Sequence, residues 1–156
     1  MDYELQNTVY LMGYIAGEPS HSKTIQKETP VTSLLIAVSR GYRDKETGNY
    51  VADFFRCVAW NKLSLLCGTL ELDKGDFIAV KGKVRNSRWT SKDTGEQRQG
   101  TEIRLSEIRI LRKKNYVPRQ GGQSQDGAVD MGIDNLDLPE GIEHADVSLD
   151  EAVAEV

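Results

Sequence analysis

Apolar and polar positions alternate along most of the first 112 residues. The stretch NTVYLMGYIAGEP sets Val9, Leu11 and Gly13 against Tyr10, Met12 and Tyr14 and breaks at Gly17 and Pro19, which predicts a strand and then a turn. After Pro30, VTSLLIAVSR puts Leu34, Ile36 and Val38 on one face, a strand over 31–40 followed by a polar loop around Thr47-Gly48-Asn49. VADFFRCVAW sorts into two chemically different faces: Phe55, Cys57 and Ala59 suit a core, while Phe54, Arg56, Val58 and Trp60 share the other side. A solvated face does not normally carry two aromatics separated by a guanidinium. The period then changes: KLSLLCGTLELDKGD carries Leu63, Leu66, Cys67 and Leu70 at i, i+3, i+4 and i+7, the stripe of a short amphipathic helix ending near Gly75.

The alternation returns in DFIAVKGKVRNSRW, with Ile78, Val80 and Val84 on one side, Lys81, Lys83 and Arg85 on the other, and Arg88-Trp89 at its end. TSKDTGEQRQG reads as a polar hairpin tip, and TEIRLSEIRIL as the last strand. In that strand Ile103 and Leu105 have the opposite parity to Ile108 and Ile110, which predicts a bulge near Ser106-Glu107. Three strands, a helix and two strands make an all-β class with one short helix. The order suits a five-stranded OB-fold Greek-key barrel over about 1–113.

From about residue 114 the periodicity stops. YVPRQGGQSQDGA has the composition of a flexible linker, and from Ile133 onward apolar residues such as Leu136, Ile142 and Leu149 are scattered among carboxylates. Residues 114–156 therefore read as a disordered acidic C-terminal tail, able to order on a basic-rimmed apolar groove of a partner. Charge sharpens the division. The 156-residue chain has a net charge of −4, but residues 1–115 hold 19 basic and 14 acidic side chains, whereas 116–156 hold 1 and 10. A body at +5 suits a polyanionic ligand.

Several classes drop out. There is no run of ~18 uncharged apolar residues to span a bilayer, and Asp2 and Glu4 stand where a secretory signal needs positive charge, so the cytoplasm is the expected location. Cys57, Cys67, His21 and His144 are too few and too scattered for a zinc site, and the cysteines read as small buried hydrophobes. No phosphate loop, paired-histidine motif or nucleophile with a neighbouring histidine is present, and Asp53 alone falls short of a two-metal site. The chain is expected to be no enzyme and to need no cofactor.

An OB barrel binds oligonucleotides on the face around its second and third strands and the adjoining loops. Here that region holds Tyr42, Phe54, Trp60 and Trp89 for stacking on bases, with Arg56, Lys62, Lys81, Lys83, Arg85 and Arg88 for phosphates. Bases in a duplex are already stacked on each other, so such a face prefers single strands. Two other readings use the same residues: a protein-interaction adaptor whose barrel face docks a peptide or subunit, and a single-stranded RNA-binding module.

Three blocks, NTVYLMGYIAGEP, SRGYRDKETGNYVADFFRCVAWNKL and LDKGDFIAVKGKVRNSRWTSKDTGEQR, together with TEIRL, resemble the bacterial single-stranded DNA-binding proteins over about 5–112. The resemblance implies sequence-independent binding and protection of single-stranded DNA in replication, recombination and repair. It also implies stacking roles for Tyr42, Phe54, Trp60 and Trp89 and basic contacts from Arg56, Lys62 and Arg85. It further implies a homotetramer, with a dimer as the smaller alternative, to which Tyr10, Met12, Phe55 or Ile78 would contribute. Replication or repair proteins would bind the acidic tail, and no membrane is involved. Two positions depart from the family pattern: Thr8 stands where a basic residue is common, and Tyr14, where a small polar one is, would add a stacking surface. The chain also ends LDEAVAEV in place of the usual Ile-Pro-Phe, which fits a phage-encoded or otherwise divergent member.

Overall fold

A computed structural model describes residues 6–91 and 93–115; the expected tail at 116–156 lies outside the described residues. The elements are β1 (Val9–Ile15), β2 (Ser20–Lys23), β3 (Pro30–Arg43), β4 (Tyr50–Trp60), α1 (Lys62–Thr69), β5 (Phe77–Thr90) and β6 (Gln97–Arg112). The strands follow the order β1-β5-β6-β4-β3-β2, and β1 also pairs with β3 through Tyr14–Ala37 and Ile15–Ile36. Five strands thus close a ring in which β4 and β6 run parallel and every other pair is antiparallel. β2 flanks the ring on β3. Its sequence, SHSK, has no apolar alternation, which is why the periodicity did not reveal it.

The period-2 residues fill the ring. Ile15, Leu34, Ile36, Cys57, Ala59 and Ile78 are wholly buried in one cluster, against which Val38 and Phe55 pack. Ile78 is therefore a core residue and not part of a surface between subunits. Ring closure depends on Gly13, since a Cβ there would run into the Ala37 carbonyl of the neighbouring strand.

The expected bulge is present. Lys81 faces Glu107 and Gly82 faces Leu105, leaving Ser106 as the extra residue, with its hydroxyl donating to the Lys81 carbonyl at 3.2 Å. The extra residue lets Leu105 and Ile108 both point into the core despite their opposite parity. The hairpin tip is shorter than the polar text implied, because β5 runs to Thr90 and β6 resumes at Gln97.

The helix departs from expectation in two ways. Cys67 is buried, and Leu63 and Leu70 pack on the core, but Leu66 is exposed and Ser64 is buried in contact with Thr32, their hydroxyls 2.7 Å apart. Thr32 lies on β3 and is buried, so the barrel end offers a polar contact and not an apolar one at that position. The helix also stops at Thr69, where Glu71, at φ 50°, turns the chain.

Asp76 then ties this turn to the end of β6. Its buried carboxylate accepts from the Asp73 amide at 2.9 Å, the Lys113 ammonium at 2.9 Å and the Lys114 amide at 3.0 Å. Among the described residues no helix is long and apolar enough to cross a membrane.

Candidate nucleic-acid interface

Residues paired across a sheet share a face, so the register shows which side chains meet. On the outer side of β4, Phe54 lies opposite Ala37 and Arg56 opposite Leu35 of β3. On its other flank β4 meets β6 through Cys57–Ile103 and Val58–Arg104, and β6 meets β5 through Arg104–Lys83 and Glu102–Arg85. Two cross-strand rows result. One joins Arg56, Glu102 and Arg85; the other joins Val58, Arg104 and Lys83, with Trp60 beside it.

The first row carries an embedded carboxylate. Glu102 is buried, and its Oε2 lies 3.9 Å from Nη2 of Arg56. In the second row the Arg104 guanidinium carbon lies 5.0 Å from the centroid of the Trp60 ring. Trp60 is half-buried, and its indole nitrogen is buried without an acceptor among the described residues. Lys83, Arg85 and Arg88 are exposed along β5, and Lys62 is exposed where α1 begins.

Phe54 occupies a second apolar cluster on the outside of the ring, with Tyr14, Ala16, Ala37, Tyr50 and Phe77 among its members. Tyr14 was expected to offer a stacking surface, but it is buried there. Its ring centroid lies 4.8 Å from that of Phe77, and its hydroxyl accepts from Arg112 at 3.2 Å. A bulky ring at this position fills the outer cluster rather than facing solvent.

Tyr42 is exposed near the end of β3, and the guanidinium of Arg43 lies 4.7 Å from the Tyr50 ring. Beside Tyr42, Arg40 grips Asp53: Nε donates to both carboxylate oxygens at 3.0 Å and Nη2 to Oδ1 at 2.6 Å. These bonds hold the Asp53 carboxyl below its usual range and raise the Arg40 guanidinium further above its own. Among the described residues no cluster of three His, Cys, Asp or Glu side chains is placed to hold a metal.

Lys81 lies beyond the bulge. Its ammonium is 3.8 Å from Glu107 and 5.7 Å from the Tyr10 ring, beside a shallow pocket that Ala79 and Arg109 help to line. Trp89 lies on β5 opposite Arg98, and its side chain lies outside the described residues. The structure thus gathers Arg56, Trp60, Lys83 and Arg85, places Phe54 farther along β4 and Tyr42 near the end of the neighbouring β3, and adds Glu102 and Arg104. Their outward parity in TEIRL was legible, but the parallel pairing that brings them beside β4 was not.

A model of the "Single-strand binding protein family" matches residues 6–111. The chain belongs to that family. Membership makes it a single-strand binding protein and not an enzyme. Three curated relatives are similar to this chain over most of its length. A "Single-stranded DNA-binding protein 1" of Xylella fastidiosa is 33% identical over 131 residues, 83% of this chain and 94% of that protein. A protein of the same description from Chlorobaculum tepidum is 28% identical over 135 residues, 85% of this chain and 79% of that protein. A "Single-stranded DNA-binding protein" of Thermus aquaticus is 34% identical over 137 residues, 88% of this chain but 48% of that protein. The family match spans the strand ring up to the last residue but one of β6, and both cross-strand rows.

Proposed function

We propose that this protein coats single-stranded DNA without sequence preference, protecting it during replication, recombination and repair. Bases stack on Tyr42, Phe54, Trp60 and Trp89, while Arg56, Lys62, Lys83, Arg85 and Arg88 follow the phosphates and Lys81 continues the basic row beyond the bulge. The observation that carries this reading is the outer side of β4, where Arg56 and the half-buried Trp60 lie beside the cationic side chains of β5 and β6. Stacking on such a face is worth roughly 1–3 kcal/mol per base and tolerates any base, because each has a π-face.

The chain assembles with copies of itself, as a homotetramer or a dimer. Tyr10 and Met12 support this reading: they are 70% and 61% exposed on β1, which pairs with β3 only at Tyr14 and Ile15 among the described residues. The acidic segment 114–156 recruits replication or repair proteins, and the protein works in the cytoplasm. The direct test is Trp60→Ala and Phe54→Ala in the full chain, titrated with oligo(dT). Each is expected to weaken binding by about 5- to 100-fold, the equivalent of one lost stacking contact. Unchanged affinity in both, with folding intact by circular dichroism, would refute the stacking role.

A further inference from the structure

Arg104 lies on β6 between Val58 of β4 and Lys83 of β5 and was not singled out by the sequence pattern. Its guanidinium covers one face of the Trp60 indole at 5.0 Å, so that face meets an incoming base through the guanidinium. Arg104 also lies directly opposite Lys83 across the β5–β6 ladder. Like charges facing each other across two strands oppose folding, and no carboxylate is placed against Arg104 among the described residues. Three cations nearer the sheet's carboxylates do have one, Arg40 with Asp53, Arg56 with Glu102 and Lys81 with Glu107. A facing cation pair beside an indole, with no anion of its own, is arranged to receive one.

We propose that Arg104 is a nucleic-acid contact. With Lys83 it seats one backbone phosphate of the single strand, and its planar guanidinium, lying over the Trp60 ring, forms the platform on which the adjoining base packs. Guanidinium planes stack on bases as aromatic rings do, and an ammonium cannot. The inference rests on the single-strand binding reading and assigns Trp60 a composite partner within it.

Arg104→Met and Arg104→Lys separate the two roles. Both are made in the full chain carrying Trp89→Phe, so that Trp60 is the emitting residue, and both are titrated with oligo(dT) across a salt series. Arg104→Met is expected to make the slope of log K against log[salt] shallower by about 0.7, one phosphate on a single strand. Arg104→Lys is expected to keep the parent slope yet bind about three- to tenfold more weakly, because the charge remains and the stacked plane is lost. A parent slope in Arg104→Met would overturn the phosphate contact. Parent affinity in Arg104→Lys would overturn the platform. If the Trp89→Phe parent and the unsubstituted protein both fail to bind oligo(dT), the single-strand binding reading itself fails, a result distinct from either. Melting temperatures verify folding, and Arg104→Lys supplies the test if Arg104→Met does not fold.

Discussion

Asp53→Asn is expected to tighten binding by releasing a cation that the protein holds for itself. Arg40 spends Nε and Nη2 on the Asp53 carboxylate at 2.6–3.0 Å, leaving Nη1 a long contact of 3.5 Å to the Tyr42 hydroxyl. Both partners are nearly half exposed, with side-chain exposures of 49% and 44%, so the pair contributes little to stability and its loss does not threaten the fold. Asparagine keeps the shape of the side chain but removes its charge, and Arg40 then becomes available to a phosphate beside Tyr42. One further phosphate neutralised steepens the slope of log K against log[salt] by about 0.7, about a fivefold change in affinity per tenfold change in salt. The assay is a titration with oligo(dT) at several salt concentrations, with wild type and variant side by side. A slope equal to that of wild type would refute the claim that Asp53 withholds Arg40. The pH dependence has a defined sign. Arg40 lowers the Asp53 pKa, so the pair persists above the ordinary carboxylate range and is lost as pH falls through the lowered value, where wild type should come to match the variant.

Asp76→Ala removes the acceptor for the Asp73 and Lys114 amides and is expected to cost about 3 kcal/mol, with a fall of roughly 10–20 °C in Tm by calorimetry. A shift of a degree or two would show that water replaces the carboxylate. Gly13→Ala pushes a methyl into the Ala37 carbonyl and should destabilise by about 1–3 kcal/mol in urea unfolding, and an unchanged midpoint would mean that β1 and β3 can separate freely. Burial pushes the Cys57 and Cys67 thiols up to about 12 and about 11, so neither should react with a thiol reagent at pH 8 before unfolding. Because the unfolded thiols ionise first, stability should decline as pH rises above about 8.5, and a flat profile from there to pH 10 would contradict that burial.

How much could be read beforehand depended on whether one strand's own pattern carried the information. The two faces of β4 are written in VADFFRCVAW, and the bulge at Ser106 is written in the parity change from Leu105 to Ile108, so both were visible. Leu66 met every requirement of a helical stripe, yet it is exposed because the helix meets the barrel through Ser64 and Thr32, a contact set by another strand. Tyr14 has the parity of an outer residue and is one, but Phe77 and Arg112, far along the chain, cover it. Arg104 is the clearest case. Its position beside Val58 follows from the parallel pairing of β4 with β6, a long-range choice that no local period encodes.

The most direct test of the account uses Trp60 and Trp89, the two tryptophans of the chain. Their emission is followed while oligo(dT) or an equal-length duplex is added at low and moderate salt. Strong quenching by the single strand, weakening as salt rises, with little change from the duplex, is the predicted result. Equal quenching by both, or none by either, would contradict the claim that this face stacks unpaired bases.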